Sequence, residues 1–434
     1  MSLLPFLAAL TWPPELPNQA SIHTSSSDLL LKPTETLREG VQIAKGAPTV
    51  DLLYYGCQTY EPDGGLWSCW GDGLVIGDTY YSAIGDHCKV EGNSFLYAYD
   101  SKTKKLKELM NLKSVLKQPP GQYVPGKIHS RIDMGKDGWL YYSTHRGSTR
   151  IAFIPEAKFK GEWILRHHPK SGKTEIVQHA PLELQSLPCS LLDPDRLIFY
   201  AGTADGLKEK EPQFLAYDLQ KRKVLFSSEQ GPSRAMIFAR STGKLYFHTS
   251  KKGPAQLLKF DPDKPNQLTS IDATVGLRAS TQENKDGIVY TVDRDQLWAF
   301  NTKTETAKEL GKTAVASNDY ITSLDLCPKT GRYLYYIPGA HGGAHRDGSP
   351  LVQYDLKTHT RKVICFLHPH LHQQTGYIPM GAYMSALSPE GDKVYITWNG
   401  NLGVTKEELD AGKRFKFNTC ALTVVHIPES ERQP

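Results

Sequence analysis

The stretch from Gly126 to Arg150, GKIHSRIDMGKDGWLYYSTHRGSTR, is the densest cluster of chemistry-bearing side chains in the chain. His129 and Arg131 precede one apolar run; His145 and Arg146 close the next, with DMGKDG between them. The Gly and Asp residues of that insert suit a tight turn, so the two runs are expected to be antiparallel strands. His129 and His145 then lie about opposite each other on one face of the ladder. Imidazole titrates near neutral pH and suits proton transfer. Two guanidinium groups converging beside two imidazoles are costly unless an anion compensates them, which points to an anionic ligand. The bland alternative is a set of solvated or hydrogen-bonded residues.

Similar side chains occur elsewhere. IGDHC carries His87, SRAM carries Arg234 and GLRAS carries Arg278. PGAHGGAH carries His341 and His345 among glycines, where a ligand can approach the backbone. Each alone reads as a solvated residue; recurrence at equivalent places in a repeat strengthens them. The segment 57–73, CQTYEPDGGLWSCWGDG, holds two tryptophans. Trp67 is the candidate for stacking on a sugar ring, with core packing or ring closure as the alternative. In FLHPHLHQQTGYIPMG, His368, His370 and His372 alternate and on a strand would share one face, a set suited to a divalent transition metal. Pro369 interrupts that strand, and a polar loop is the competing reading. Tyr377, just beyond, is a candidate phenolic proton donor.

What must position these residues is a repeat. One phrase, a hydrophobic run ending in an aromatic and an acidic or turn residue, then a basic turn and a second run, recurs at 95–109, 163–177, 214–226, 257–268, 297–310, 351–366 and, weakly, 421–430. A second phrase, a Gly or Asp turn followed by an alternating strand, precedes six of them at 72–85, 137–147, 195–204, 243–250, 286–293 and 331–342, and the seventh at 391–400. Each first phrase reads as two strands joined by a tight turn. Two strand pairs per unit, seven times, predict an all-β, seven-bladed β-propeller over 48–434, a single domain with an irregular arm at 1–47. Radial packing buries both faces of every sheet and leaves only short edges. Short helices are expected near Leu106–Leu116 and Thr405–Ala411.

Composition agrees. The 434 residues are rich in Gly (36), Pro (28) and Tyr (22), suiting many short strands and turns. No run approaches the roughly 18 to 20 apolar residues of a membrane span. A scattered net charge of +5, with no basic run, argues against nucleic acid as partner and is compatible with an anionic glycan. MSLLPFLAAL at the start reads equally as a weak secretory signal or a tail, so a secreted or periplasmic location is an expectation. The seven cysteines include no CxxC pair; Cys57, Cys69 and Cys88 have room for one disulfide, and the others read as buried thiols.

The GKIHSRIDMG…GWLYYSTHRGSTR stretch, PGAHGG and the ALSPEGDKVYITWNGN segment resemble a group of bacterial propeller proteins. The plan over 50–430 is similar to that of the propeller polysaccharide lyases, the oligogalacturonate lyases and ulvan lyases. The paired His129 and His145 resemble the ulvan-lyase pattern. HPH at 368–370 resembles the metal-binding histidine cluster of oligogalacturonate lyases, although Gln373 and Gln374 follow the histidines here rather than precede them. The resemblance implies β-elimination on a uronate-containing anionic oligo- or polysaccharide. It assigns carboxylate neutralisation to Arg131, Arg146, Arg234 or Arg278, the base to His129 or His145, and the acid to Tyr377 or Tyr142. It also implies a divalent metal (Mn, Ca or Zn). A non-catalytic propeller binding a glycan or a protein partner is the second expectation.

Overall fold

The aromatic–acidic phrase is a hairpin, and its chemistry lies in the turn. Asp100 accepts hydrogen bonds from the backbone N–H groups of Lys102 and Thr103, each at 2.9 Å. Asn301 does the same for Lys303 and Thr304, and Asp355 for Lys357. A side-chain acceptor that caps the next amides is why Asp and Asn favour this position. Four residues after the cap the backbone turns left-handed, at Lys104, Arg222, Glu305 and His359, and at Gly172 in the copy that uses His168. The aromatic before the cap, such as Tyr99, Tyr217 or Tyr354, packs into the core.

The computed structural model describes residues 16–56, 67–86, 90–146, 154–204, 211–251, 253–412 and 415–433. Seven antiparallel sheets follow one another along the chain as a seven-bladed β-propeller. The innermost strands, which wall the central channel, are Leu74–Ile76, Asp133–Met134, Cys189–Asp193, Ile237–Ala239, Ala279–Ser280, Asp325–Leu326 and Tyr377–Leu387, for blades one to seven in that order. The second phrase supplies the next strand outward and the first phrase the outer two. The last blade is the exception. Residues 421–430 are not a hairpin: Thr419–His426 is a single strand, and its outer partner is Thr49–Tyr54 from the other end of the chain. The ring is thereby closed by backbone pairing between distant segments. The stacked pair Tyr80 and Tyr395, with centroids 5.2 Å apart, packs blade one on blade seven.

Residues before Thr49 run along this closure. His23–Ser25 pairs with the closing strand, and Gln42–Ile43 adds in parallel to the outer strand of blade six, Thr360–Phe366. Helices at Leu112–Leu116 and Lys406–Asp410 fall in the two expected stretches. Cys69, Cys189, Cys327, Cys365 and Cys420 are buried free thiols, so Cys69 takes no part in a disulfide. Cys57 and Cys88 lie outside the described residues.

Candidate functional site in the central channel

The turn of blade two forms as its sequence implied, with Met134 opposite Leu140 and Asp133 opposite Tyr141. Toward the end of that hairpin the pairing slips by two, and Lys127 rather than His129 bridges His145. The two imidazoles still meet, edge to face, with centroids 5.1 Å apart. Their hydrogen bonds fix their tautomers. His129 Nδ1 lies 2.9 Å from the Pro188 carbonyl oxygen, which can only accept, so Nδ1 carries the proton. His145 Nδ1 lies 2.7 Å from Ser186 Oγ, whose own proton goes to Glu162 Oε1 at 3.3 Å; Nδ1 is the donor here too. With Glu162 ionised, both neutral rings keep Nε2 as the proton-accepting atom. Both also stay neutral: burial, then the positive charges of Arg234 and Lys127, holds His129 well below the usual histidine range. Burial, then His129 and Lys127, does the same to His145.

His129 lines a narrow chamber of about 70 Å³ together with Tyr383, Arg131, Asp72 and Asp325. Above it opens a wider cavity of about 450 Å³, lined by Tyr320, His341, His248 and Lys251 among others. Arg234 and Arg278 line both spaces. Arg278 donates from Nε to the Tyr320 hydroxyl oxygen at 2.7 Å and from a terminal nitrogen to that of Tyr383. A guanidinium has no acceptor, so both phenols keep their own protons for another partner. Burial raises the Tyr383 phenol to about 12, the Arg278 charge pulling against it, so it is a protonated donor at neutral pH. Its ring also packs on His129, with centroids 4.9 Å apart. Trp70 packs against His341, Tyr383 and Phe417, with Lys127 over its ring at 5.4 Å. A wider cavity that sets Tyr320 and His341 beside Arg234, Arg278 and Lys251 suits a ligand that has apolar faces and negative charge.

Not every anticipated residue joins this group. Arg131 lines the lower chamber, but its charge is engaged by Asp133 at 3.5 Å and Asp72 at 3.9 Å. Arg146 is buried behind the channel wall, where its charge acts on Glu162. Tyr142 and Tyr377 are wholly buried in the packing between blades; the Tyr377 hydroxyl donates to the Trp398 and Thr419 carbonyls. His87 and the side chain of Trp67 lie outside the described residues.

The alternating histidines correct the strand reading: His370–Thr375 is a helix. Residues two apart on a helix project to different sides, so His370 and His372 do not share a face. His368 and His372 stack with centroids 5.9 Å apart. His370 is turned to the arm, with one ring nitrogen 2.9 Å from Ser25 Oγ and the other 2.9 Å from Ser27 Oγ. His372 Nε2 donates to the Val404 carbonyl. With both nitrogens of His370 taken, the trio does not fit a metal ion, and among the described residues no group of three or more His, Cys, Asp or Glu does.

Tyr320, Tyr383 and Trp70 are the residues that sequence reasoning passed over. Trp70 shares the segment that drew attention to Trp67. Tyr383 sits mid-strand, where register shifts between Pro379 and Gly381 and between Ala382 and Met384 break the plain alternation that would have told its facing.

No family model matches the chain, and no curated protein matches it in sequence. Solved structures match it in fold. An oligogalacturonate lyase in complex with manganese aligns over 95% of this chain and 98% of its own, at 10% identity and a TM-score of 0.52. A chain of the mitotic checkpoint complex aligns over 90% and 98%, at 10% identity and a TM-score of 0.46. At 10% identity what this chain shares with the oligogalacturonate lyase is the fold alone: it is a β-propeller of similar architecture.

Proposed function

We propose that the protein is a carbon–oxygen lyase that cleaves a uronate-containing glycan by β-elimination where the wider cavity meets the narrow chamber. The observation that supports this reading is the juxtaposition of His129, neutral and with an accepting Nε2, and Tyr383, protonated and linked to Arg278. Elimination needs three services. The C6 carboxylate must be neutralised, and Arg278 and Arg234 are the cations that line both chambers. Guanidinium groups suit this because they bind carboxylate in a fork and stabilise the enolate-like charge that builds up next to it. The C5 proton must be removed, and His129 Nε2 takes it, with His145 packed against the ring. The leaving oxygen must be protonated, and the Tyr383 hydroxyl supplies that proton. General acid–base groups of this kind each contribute about 10²–10⁴-fold in rate.

The test is incubation of the purified protein with a panel of uronate glycans, following the ultraviolet absorbance of the unsaturated uronate product. New absorbance that is lost in His129→Ala supports the lyase. Binding to the panel with no new absorbance would mark a non-catalytic glycan-binding propeller, and neither binding nor absorbance would sink both readings.

A further inference from the structure

Behind the two histidines lies a buried acid that the proposed reaction does not use. Glu162 is fully buried, between the second strand of blade two and the chain leading into blade three. It accepts from Tyr123 Oη at 2.6 Å, Thr144 Oγ1 at 2.6 Å and Ser186 Oγ at 3.3 Å. Around it stand these three hydroxyls, the Arg146 guanidinium and, one atom beyond Ser186, His145. Thr144 Oγ1 already accepts from the Trp163 amide and so is committed as a donor to Glu162. Ser186 Oγ is the one of the three with a ring nitrogen in reach, His145 Nδ1 at 2.7 Å, and it also accepts from the Arg146 amide at 3.3 Å, which leaves it one lone pair and one proton to share between Glu162 and His145.

We infer that Glu162 is a positioning residue which, through Ser186, sets the tautomer of His145. The proton count follows from single-proton hydroxyls. When Glu162 is ionised, Ser186 gives its only proton to Oε1; Ser186 Oγ must then accept from His145 Nδ1–H, and His145 Nε2 is bare. When Glu162 takes a proton from solvent, that proton is donated to Ser186 Oγ, and Ser186 turns its own toward Nδ1. Nδ1 becomes an acceptor, and the ring proton moves by solvent exchange to Nε2. Net, one proton is bound, on Glu162, and His145 stays neutral while its accepting atom becomes a donating one. Burial, opposed by the three hydroxyls and Arg146, brings Glu162 to about 7. The exchange therefore falls in the neutral range, where the ring next to His129 switches character.

The consequence for turnover rests on the proposed function, but the test needs no substrate and stands if that reading fails. Nitrogen-15 NMR of histidine-labelled full-length protein reads which ring nitrogen of His145 is protonated. In the wild type Nδ1 should be the protonated atom above neutrality and Nε2 below it. Glu162→Gln, whose amide donates to Ser186 at every pH, should hold Nε2–H throughout. Ser186→Ala should leave a tautomer that no longer follows pH, and it decides the matter should Glu162→Gln not fold. A His145 tautomer identical in wild type and Glu162→Gln, or one that still follows pH in Ser186→Ala, overturns the inference.

Discussion

The ring closure carries an acid-sensitive lock that can be measured without knowing the substrate. Asp51 sits in the closing strand, fully buried, and accepts from three directions: His426 Nε2 at 2.9 Å on the adjoining strand, Lys104 Nζ at 2.8 Å from the turn of blade one, and Thr24 Oγ1 in the arm. Burial pushes the carboxyl up, but the His426, Lys104 and Thr24 hydrogen bonds outweigh it and hold it at about 2, against an ordinary 3.8. That difference, at 1.36 kcal/mol per pH unit, amounts to about 2 kcal/mol of folding free energy. The sign follows from the direction. A folded-state value below the unfolded one means that the ionised form favours folding, so the contribution is full above about pH 5 and is lost as pH falls through about 2. Asp51→Asn should therefore be destabilised by about 2 kcal/mol relative to wild type near neutral pH, with the gap closing as the wild-type carboxyl protonates. Denaturant unfolding of both proteins over a pH series gives the gap directly. A gap that stays constant from neutral to acid pH would refute the reasoning, because it would show that the effect of Asn is packing and not charge.

The remaining predictions concern the channel. His129→Ala should lower turnover on a cleaved glycan by about 10²–10⁴-fold. Because His129 is held well below the usual histidine range, the wild-type acid limb of kcat/KM should lie below about 6.5; full activity in both His129→Ala and His145→Ala would remove the base assignment. Tyr383→Phe should cost turnover on the same scale with little change in unfolding midpoint. Tyr377→Phe should do the opposite, losing about 1 kcal/mol of stability and no turnover, and the reverse pattern would exchange their roles.

How far the sequence carried depended on how local each signal was. The hairpins of the outer strands were legible because cap, turn and aromatic lie within a few residues, as in Tyr99, Asp100 and Lys104. The innermost strands were not, since Asp133–Met134, Ala279–Ser280 and Asp325–Leu326 are two residues long and show no period. The closing strand was hidden for a different reason: Thr49–Tyr54 pairs with residues more than 350 positions away, and no local pattern encodes that. Within the site, the meeting of His129 and His145 was readable across one turn. Arg278 was readable only as an isolated cation, because the Tyr320 and Tyr383 that define it come from other blades. The His368 to His372 run misled because alternation was read at strand period while the chain turns as a helix.

Two arginines that look alike in sequence are distinguished by what faces them, and this separates stability from recognition. Arg131 stands among Asp133, Asp72 and Asp325, and its charge is already answered within the wall. Asp325 shows how finely: burial, with Asp72 adding to it and Arg131 opposing, brings its carboxyl to about 7. Removing Arg131 leaves buried carboxylates without their cation, which typically costs about 3–5 kcal/mol. Arg278 also acts on Asp72, but its own hydrogen bonds go to the hydroxyl oxygens of two phenols and not to a carboxylate, so its positive charge is available to an anion entering the wider cavity. Arg131→Met should therefore unfold more easily, and should bind protons as its carboxylates rise, without a selective loss of glycan affinity. Arg278→Met should keep its unfolding midpoint within a small margin and lose affinity for anionic but not neutral glycans, by about 1.5–3 kcal/mol for a hydrogen-bonded charge. Unfolding curves and glycan titrations on the two variants decide it. If Arg131→Met loses affinity at unchanged stability, the lower chamber and not the wider cavity is where the carboxylate binds.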